Sequence, residues 1–461
     1  MKRQTSMSSC SCGLILLGVA SLATADTGFR NDGSGCFMNT KPPLHWSVES
    51  NVVWKTPLKS SNASPLVLGN RVFVCEEPDL LLAVDFADGH VLWAATNSYL
   101  AVTPPAEVQA EQEKQARAEL LAGQVKAAEK KANEAEKATK GKPEDATLKE
   151  QAQSARQEIS KLKKELAAFH AHILPETHPV NGYSTPTPVT DGTTIGIVYG
   201  SGVVAGFTPE GQRLWGRILP VRPHNGSWGH SASARLADGL LLVHFGNTFF
   251  AFDARTGAER WTTNAPSGFG SPVITALDGK DAISTPGGDL FAVADGRKLA
   301  SGLPRFPWNG PVVRDNVMYK VDEGEAAAYA LKPGNPGQAT RLWTAAVPKG
   351  RYYATAVLHE GLLYNVSQGG DLVVFDAQSG TMVYEHALQL GGGATVYPSP
   401  ALAGGRIYVS GDNGVTVVVK PGRVYEELAR NKLTPFRSSP TFVGDSLLIR
   451  TLSGLYRIQE K

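Results

Sequence analysis

The segment Ala251-Phe-Asp-Ala-Arg-Thr-Gly-Ala-Glu-Arg-Trp261 recurs along the chain, and that recurrence constrains the fold more than any other feature. Ala83-Val-Asp-Phe-Ala-Asp-Gly-His-Val-Leu-Trp93 repeats Ala, Asp, Gly and Trp at the same offsets. Ala205 to Trp215 keeps Ala, Gly and Trp; Val374-Phe-Asp-Ala-Gln-Ser-Gly380 ends on Tyr384; a looser copy ends on Trp343, and Val293-Ala-Asp-Gly296 is degenerate. Each copy reads as a strand end, a turn and a returning strand. An Asp before a turn accepts bonds from backbone N–H groups two or three residues on, and a Gly supplies the positive φ of a tight hairpin. The docking set is therefore Asp85, Gly89, Trp93, Trp215, Asp253, Gly257, Trp261, Trp343 and Asp376.

A second marker, a small residue followed by Pro, opens a strand ahead of each copy: Ser64-Pro65, Thr187-Pro188, Ser271-Pro272, Gly310-Pro311, Ser399-Pro400 and Ser439-Pro440, with Ser233-Ala234 and Thr355-Ala356 filling the gaps. After the first interval the markers lie 38 to 46 residues apart, the period of a four-stranded propeller blade. Runs such as Leu240 to Phe245 are apolar on both faces, as strands sandwiched between neighbouring sheets must be. Eight units begin, but the last stops after Gly454 to Ile458 and lacks a fourth strand. Asn51-Val-Val-Trp-Lys-Thr-Pro57 is an orphan strand with a Trp in register, suited to complete it. The expected fold is all-β: an eight-bladed β-propeller closed by an N-terminal strand, with seven blades and a frayed tail as the alternative.

The Ala-x-Asp-x-x-x-Gly-x-x-x-Trp pattern resembles the tryptophan-docking repeat of quinoprotein dehydrogenase propellers. The wider PQQ-like repeat family that shares it includes the outer-membrane assembly propeller of the β-barrel machinery. The resemblance spans about residues 46–98 and 180–461. Phe29-Arg-Asn-Asp-Gly-Ser-Gly35 with Asn51 to Pro57 is also similar to the opening of secreted bacterial PQQ-like repeat proteins. Such a resemblance specifies fold and leaves function to the site.

Residues 1–25 read as a secretory signal: Lys2 and Arg3, an apolar Gly13 to Ala20, and Ala23-Thr-Ala25 as the cleavage site. The apolar run is too short to span a bilayer, and no Cys follows it to carry a lipid. The expectation is Sec export to periplasm or medium without a lipid anchor. Cleavage leaves 43 basic and 43 acidic residues, which gives no basic surplus for nucleic acid. Cys36 and Cys75 remain, and a disulfide between them is left open.

Residues 26–45 form an N-terminal extension, 46–98 the closing strand and first blade, 99–178 an insertion, and 179–461 blades two to eight. The insertion reads as an antiparallel coiled-coil hairpin with helices over about 104–139 and 144–172. Its seams are Ala118, Leu121, Val125, Ala128, Ala132 and Ala135 on one side and Leu148, Ala152, Ala155, Ile159, Leu162, Leu166 and Phe169 on the other. Pro143 suits the first turn of the second helix.

The loops just before the markers should ring one mouth of the channel. They supply the candidate ligand-binding residues Tyr183, His224, Trp228, His230, Trp308, Arg351, Tyr352, Tyr397 and Arg437, with Phe269, Tyr353, Phe436 and Arg305 nearby. Aromatics and arginines suit a planar or anionic ligand; the competing reading is a plug that only sets the angle between blades. The quinoprotein resemblance implies PQQ held with Ca²⁺, an Asp base and adjacent cysteines. These mouth positions carry no carboxylate, and no two cysteines are adjacent. Catalytic residues, cofactor and metal are therefore expected to be none, with a divergent PQQ-dependent dehydrogenase as the enzymatic alternative. His170, His172 and His178 with Glu176 cluster in sequence, and helix-end interactions are preferred over metal binding there. The leading expectation is a monomeric exported scaffold meeting a protein partner through the arm and channel face; a small-ligand or glycan binder is the alternative.

Overall fold

The computed structural model describes residues 27–460 except 142–144, 170–171, 222–225, 278 and 333–338. The signal segment, Pro143, His170 and His224 lie outside the described residues. The chain is mostly β, with eight sheets among the described residues, seven of four strands and one of five.

The sheets are antiparallel meanders. In the sheet of Arg235–Ala237, Leu240–Phe245, Thr248–Asp253 and Glu259–Asn264, the two middle strands are almost wholly buried and the last alternates exposed and half-buried. That gradient follows from position: inner strands lie between neighbouring sheets, while the outer strand meets water on one side.

The markers join the sheets in a circuit. Ser64 N–H donates to Thr187 Oγ1 (3.0 Å), Thr187 N–H to Ser233 Oγ (2.9 Å), and Ser233 N–H to Ser271 Oγ (2.9 Å). Gly310, Thr355 and Ser399 N–H groups donate to Thr355, Ser399 and Ser439 hydroxyls, and Ser439 N–H returns to Ser64 Oγ at 3.1 Å. Gly310, with no hydroxyl to offer, interrupts the series. The small Ser or Thr lets the strands approach and satisfies a buried N–H that would otherwise be costly.

A second set of locks acts at the outer edge. The indole N–H of Trp54, Trp93, Trp215, Trp261 and Trp343 donates to the carbonyl of Phe86, Pro209, Ala254, Val293 and Ala377 respectively, each in the next sheet. The same rings cover Gly89, Gly211, Gly257, Gly296 and Gly380, where an added Cβ would lie 2.4 to 2.7 Å from the indole. Gly257 also has φ +69°. The glycine thus serves two needs at one position, a left-handed turn and a bare surface for the neighbour's tryptophan. Asp85, Asp253 and Asp376 accept N–H bonds from residues two and three ahead, fixing those turns. In Asp376 the Arg423 guanidinium, with the Ser379 bonds adding to it, holds the carboxyl down at about 2.

The orphan strand Val52–Pro57 pairs antiparallel with Gly454–Ile458 and completes the last sheet. Buried Arg450 reinforces this join, donating to the Lys59, Thr451 and Gly454 carbonyls. One sheet departs from the four-stranded expectation. Cys36–Phe37 adds in parallel to the inner edge of Ala401–Ala403, and Leu402 N–H donates to Gly35 O at 2.8 Å. Cys36 and Cys75 are both free thiols, and burial raises both, Cys75 to about 12.

The insertion contains α1 (Tyr99–Val102), α2 (Val108–Gly141) and α3 (Ala146–Ala167). α2 begins after a tight turn at Pro105–Glu107, later than expected. α3 begins at Ala146 because Asp145 caps it, accepting from Thr147 and Leu148 N–H, and it ends five residues short of His172. Ala118, Leu121, Val125, Ala128 and Ala132 are buried against α3. Ion pairs Glu129–Lys163 and Glu136–Arg156, both 2.8 Å, show the helices running antiparallel. At ~1.5 Å per residue α2 is about 50 Å long.

Candidate functional site at the channel mouth

A pocket of about 480 Å³ occupies the channel. Its wall has a simple rule: the residue two positions before each marker lines it. Those residues are Asn62, Thr185, Ser231, Phe269, Trp308, Tyr353, Tyr397 and Arg437. Below them the marker hydroxyls of Ser233, Ser271, Thr355, Ser399 and Ser439 continue the lining.

The wall divides into halves. Phe269 stacks on Trp308 (5.7 Å, 12°), Trp308 meets Tyr353 edge-on (5.8 Å), and Tyr353 stacks on Tyr397 (5.3 Å, 11°). Arg351 lies 4.7 Å over Trp308, and Arg437 5.8 Å over Tyr397. Packing against neighbours fixes these rings, and a cation above a ring face adds attraction. Burial, with Tyr353 adding to it, pushes the Tyr397 phenol up, so it stays neutral near pH 7. The remaining half, Arg437, Asn62, Thr185 and Ser231, is polar.

Two polar atoms of that half are buried without a partner: Asn62 Oδ1 and Arg437 Nε. Asn62 is held by its amide, which donates to Val180 O (2.6 Å), Asn181 O and Thr185 Oγ1 (both 3.2 Å). The carbonyl oxygen is thereby aimed away from those groups.

The far end of the pocket is Phe29. Residues 27–37 cross the channel beyond the markers: Thr190 N–H donates to Thr27 O, Arg235 to Phe29 O, and Arg30 to Ala356 O. Arg30 is buried and donates to carbonyl oxygens, and desolvation, with the Arg235 charge adding to it, lowers it to about 10. The pocket is therefore blind, open at the aromatic mouth and floored by the N-terminal segment.

The sequence-derived candidates sort by this geometry. Trp228, Trp308, Arg351, Tyr397 and Arg437 line the pocket. His230 and Tyr352, three positions before their markers, do not. His230 is buried against Phe245, its Nε2 meets Ala232 O, and burial lowers it to about 3. Tyr352 is fully buried and donates to Pro348 O. In extended chain, neighbours point to opposite sides, so a one-residue difference moves a side chain from channel to sheet interface. Tyr183, four before its marker, donates to Pro175 O and lines a separate 290 Å³ pocket at the root of the arm. Sequence reasoning passed over Asn62, Thr185 and Ser231; the fixed offset would have found them. Phe29 carried no such signal.

Among the described residues, the histidines near the arm, His172 and His178, do not converge. His172 pairs with Glu111 at 2.7 Å, tying the helices at their base, and His178 stacks on Trp228 at 4.2 Å. Asp85, Asp88 and His90 lie together on an exposed turn. Glu77, an acidic loop residue, accepts from Tyr183 N–H, Ser184 N–H and Ser184 Oγ.

A calcium-held quinone does not fit this donor set. Ca²⁺ takes six to eight oxygens, usually with carboxylates, and the lining contributes no Asp or Glu.

Fold and repeat together define a PQQ-like β-propeller. The chain belongs to the family described as outer membrane protein assembly factor BamB, which it matches over residues 44–158 and 200–451. Tetrathionate hydrolase from Acidithiobacillus ferrooxidans is 26% identical over 219 residues, 44% of this chain and 35% of that protein. The chain thus spans about a third of the length of that curated relative. Quinohemoprotein alcohol dehydrogenase from Comamonas testosteroni superposes with a TM-score of 0.57 at 10% identity, over 95% of this chain and 81% of that one. BamB from Moraxella catarrhalis gives a TM-score of 0.48 at 17% identity, over 60% and 83%. These likenesses concern the fold.

Proposed function

We propose that this protein is a non-catalytic scaffold of the cell envelope, exported through a cleaved signal at residues 1–25, that meets a protein partner through its helical arm and channel face. The family described as an outer membrane assembly factor supports the class. No helix among the described residues is long and apolar enough to cross a membrane. In this reading the eight sheets are eight blades of one ring, supported by the marker circuit, and α2 and α3 form a coiled-coil hairpin, supported by the seam and its flanking ion pairs.

The observation that carries the proposal is the root of the arm. Arg213 donates to Ala101 O (2.8 Å), Tyr99 Oη to Ser201 O (2.7 Å), and Glu111 grips His172. A long helical pair fastened in this way presents its outer face in a fixed direction, as a contact surface requires. The test is photocrosslinking in cells from Leu120, an exposed apolar residue of α2. The expected result is a discrete adduct from Leu120, and loss of the native complex when residues 104–172 are replaced by a short linker while the propeller stays folded. Unchanged native complexes after that replacement would sink the proposal.

A second reading, that the mouth binds a small ligand, is favoured by the pocket itself, with a stacked aromatic half and a polar half that carries Arg437. Binding retained after arm removal would support it.

A further inference from the structure

We propose that the channel pocket is a site for an acidic sugar, a hexuronic acid residue of an oligosaccharide. This rests on the small-ligand reading of the mouth and names its ligand from the two-sided wall.

A pyranose ring has an apolar C–H face and an edge of hydroxyls. The pocket offers a counterpart to each. The aromatic half, Trp308 to Tyr397, is continuous across three neighbouring sheets. Trp228 adds a half-exposed ring whose one face rests on His178, and Asn181 fixes it by donating to its carbonyl at 2.9 Å.

The polar half is rich in acceptors. Ser231 spends its proton on Phe269 O and presents its lone pairs, while Thr185 donates to Asn181 O, accepts from the Asn62 amide and keeps one lone pair. Asn62 Oδ1 is buried and unpaired. A ligand that satisfies this half must bring several O–H donors, which a simple dianion or aromatic acid does not.

Charge supplies the last term. Asn62 and Arg437 occupy equivalent positions, two before Ser64 and Ser439, and Ser439 N–H donates to Ser64 Oγ, so they are neighbours on the wall. Arg437 and Arg351, held over the rings of Tyr397 and Trp308, set two cations on the lining, which holds no acid. A carboxylate on a polyol ring uses all three features, and charge-assisted bonds from arginine to carboxylate are the strong ones. The volume falls within the ~300–1,000 Å³ of small-molecule sites. Because Phe29 floors the channel, the sugar enters and leaves by the mouth, as a chain terminus or a short oligomer.

The test titrates the full mature chain with trigalacturonate, its methyl ester and terephthalate, following tryptophan fluorescence and heat. The expected result is saturable binding of trigalacturonate, at least about tenfold weaker for the ester, and at least about tenfold weaker for the acid in an Arg351→Gln/Arg437→Gln variant whose melting is unchanged. Equal binding of acid and ester, or unchanged binding in the variant, overturns the proposal. Terephthalate binding without trigalacturonate overturns the sugar and leaves the small-ligand reading standing. No binding by any probe removes both. The wild-type comparison of acid with ester decides the matter even if the variant fails to fold.

Discussion

The ring of sheets and the helical arm are stabilised by opposite kinds of contact. In the ring, each sheet is completed by its neighbours: a marker hydroxyl receives an N–H from the sheet beside it, and a tryptophan covers the next sheet's glycine. In the arm, two helices satisfy their own backbones, share a thin seam dominated by alanine, and add exposed ion pairs. Exposed pairs are worth about 0–1 kcal/mol each, whereas a docked tryptophan is worth several. A fault in the ring should therefore propagate, and a fault in the arm should remain local.

The sharpest way to break this contrast is Gly257→Val. Its φ of +69° and the Trp215 ring 2.4 Å from an added Cβ combine backbone strain with overpacking. Each effect is about 1–3 kcal/mol, so a loss of about 4 kcal/mol in urea unfolding is expected. Gly123→Ala in α2, where an added Cβ meets nothing within 4 Å, should instead stabilise by about 0.5–1 kcal/mol.

Trp215→Ala and Trp54→Ala come next, each costing about 3 kcal/mol as a buried aromatic truncation. Equal losses would mean that the seam between the chain ends is as strong as an internal one. A much smaller loss for Trp54 would mean that the ring opens there first.

A pH series separates the regions further. Burial lowers His244 to about 4 and His230 to about 3, both below the ordinary value near 6.5. The unfolded chain takes up these protons first, so stability is full above about pH 6.5 and falls as pH drops toward 4. The slope approaches about 1.4 kcal/mol per pH unit for each histidine. His244→Gln should flatten the decline by one such increment between pH 6 and 4.5, read by urea unfolding at several pH values.

The smallest effect should come from the largest deletion. Replacing residues 104–172 with a short linker is expected to change propeller stability by less than about 1 kcal/mol, measured by calorimetry. A larger loss would mean that the Glu111–His172 tie at the base of the arm stabilises the ring as well as orienting the arm.

Much of this contrast was legible in the sequence. The Asp-x-x-x-Gly turn and the Trp four residues later could be read because each performs a local task that only a few residue types can do. The spacing of Ser-Pro and Thr-Pro markers indicated the units, and the orphan Val52–Pro57 pointed to Gly454–Ile458 because each lacked a partner. The arm's seam was visible because its residues alternate three and four apart. Helix ends were less clear: Asp145 as a cap, rather than Pro143, sets the start of α3.

The candidate site was read less well, for a reason of geometry. Tyr352 and Tyr353 are alike as letters, yet the first is buried between sheets and the second faces the pocket. His230 and Ser231 divide in the same way, against the chemical expectation that the histidine would be the functional residue. Nor could the sequence place Phe29 at the end of a channel built from residues hundreds of positions away. The repeat by itself determined the sheets, their turns and their locks, because those depend on neighbours a few residues apart or on one repeating unit meeting the next. Which side chains face the axis, what floors the channel, and that Asn62 and Arg437 stand side by side were decided only when the ring closed, because closure alone fixes the pleat of each inner strand against the common axis and brings the chain's two ends together.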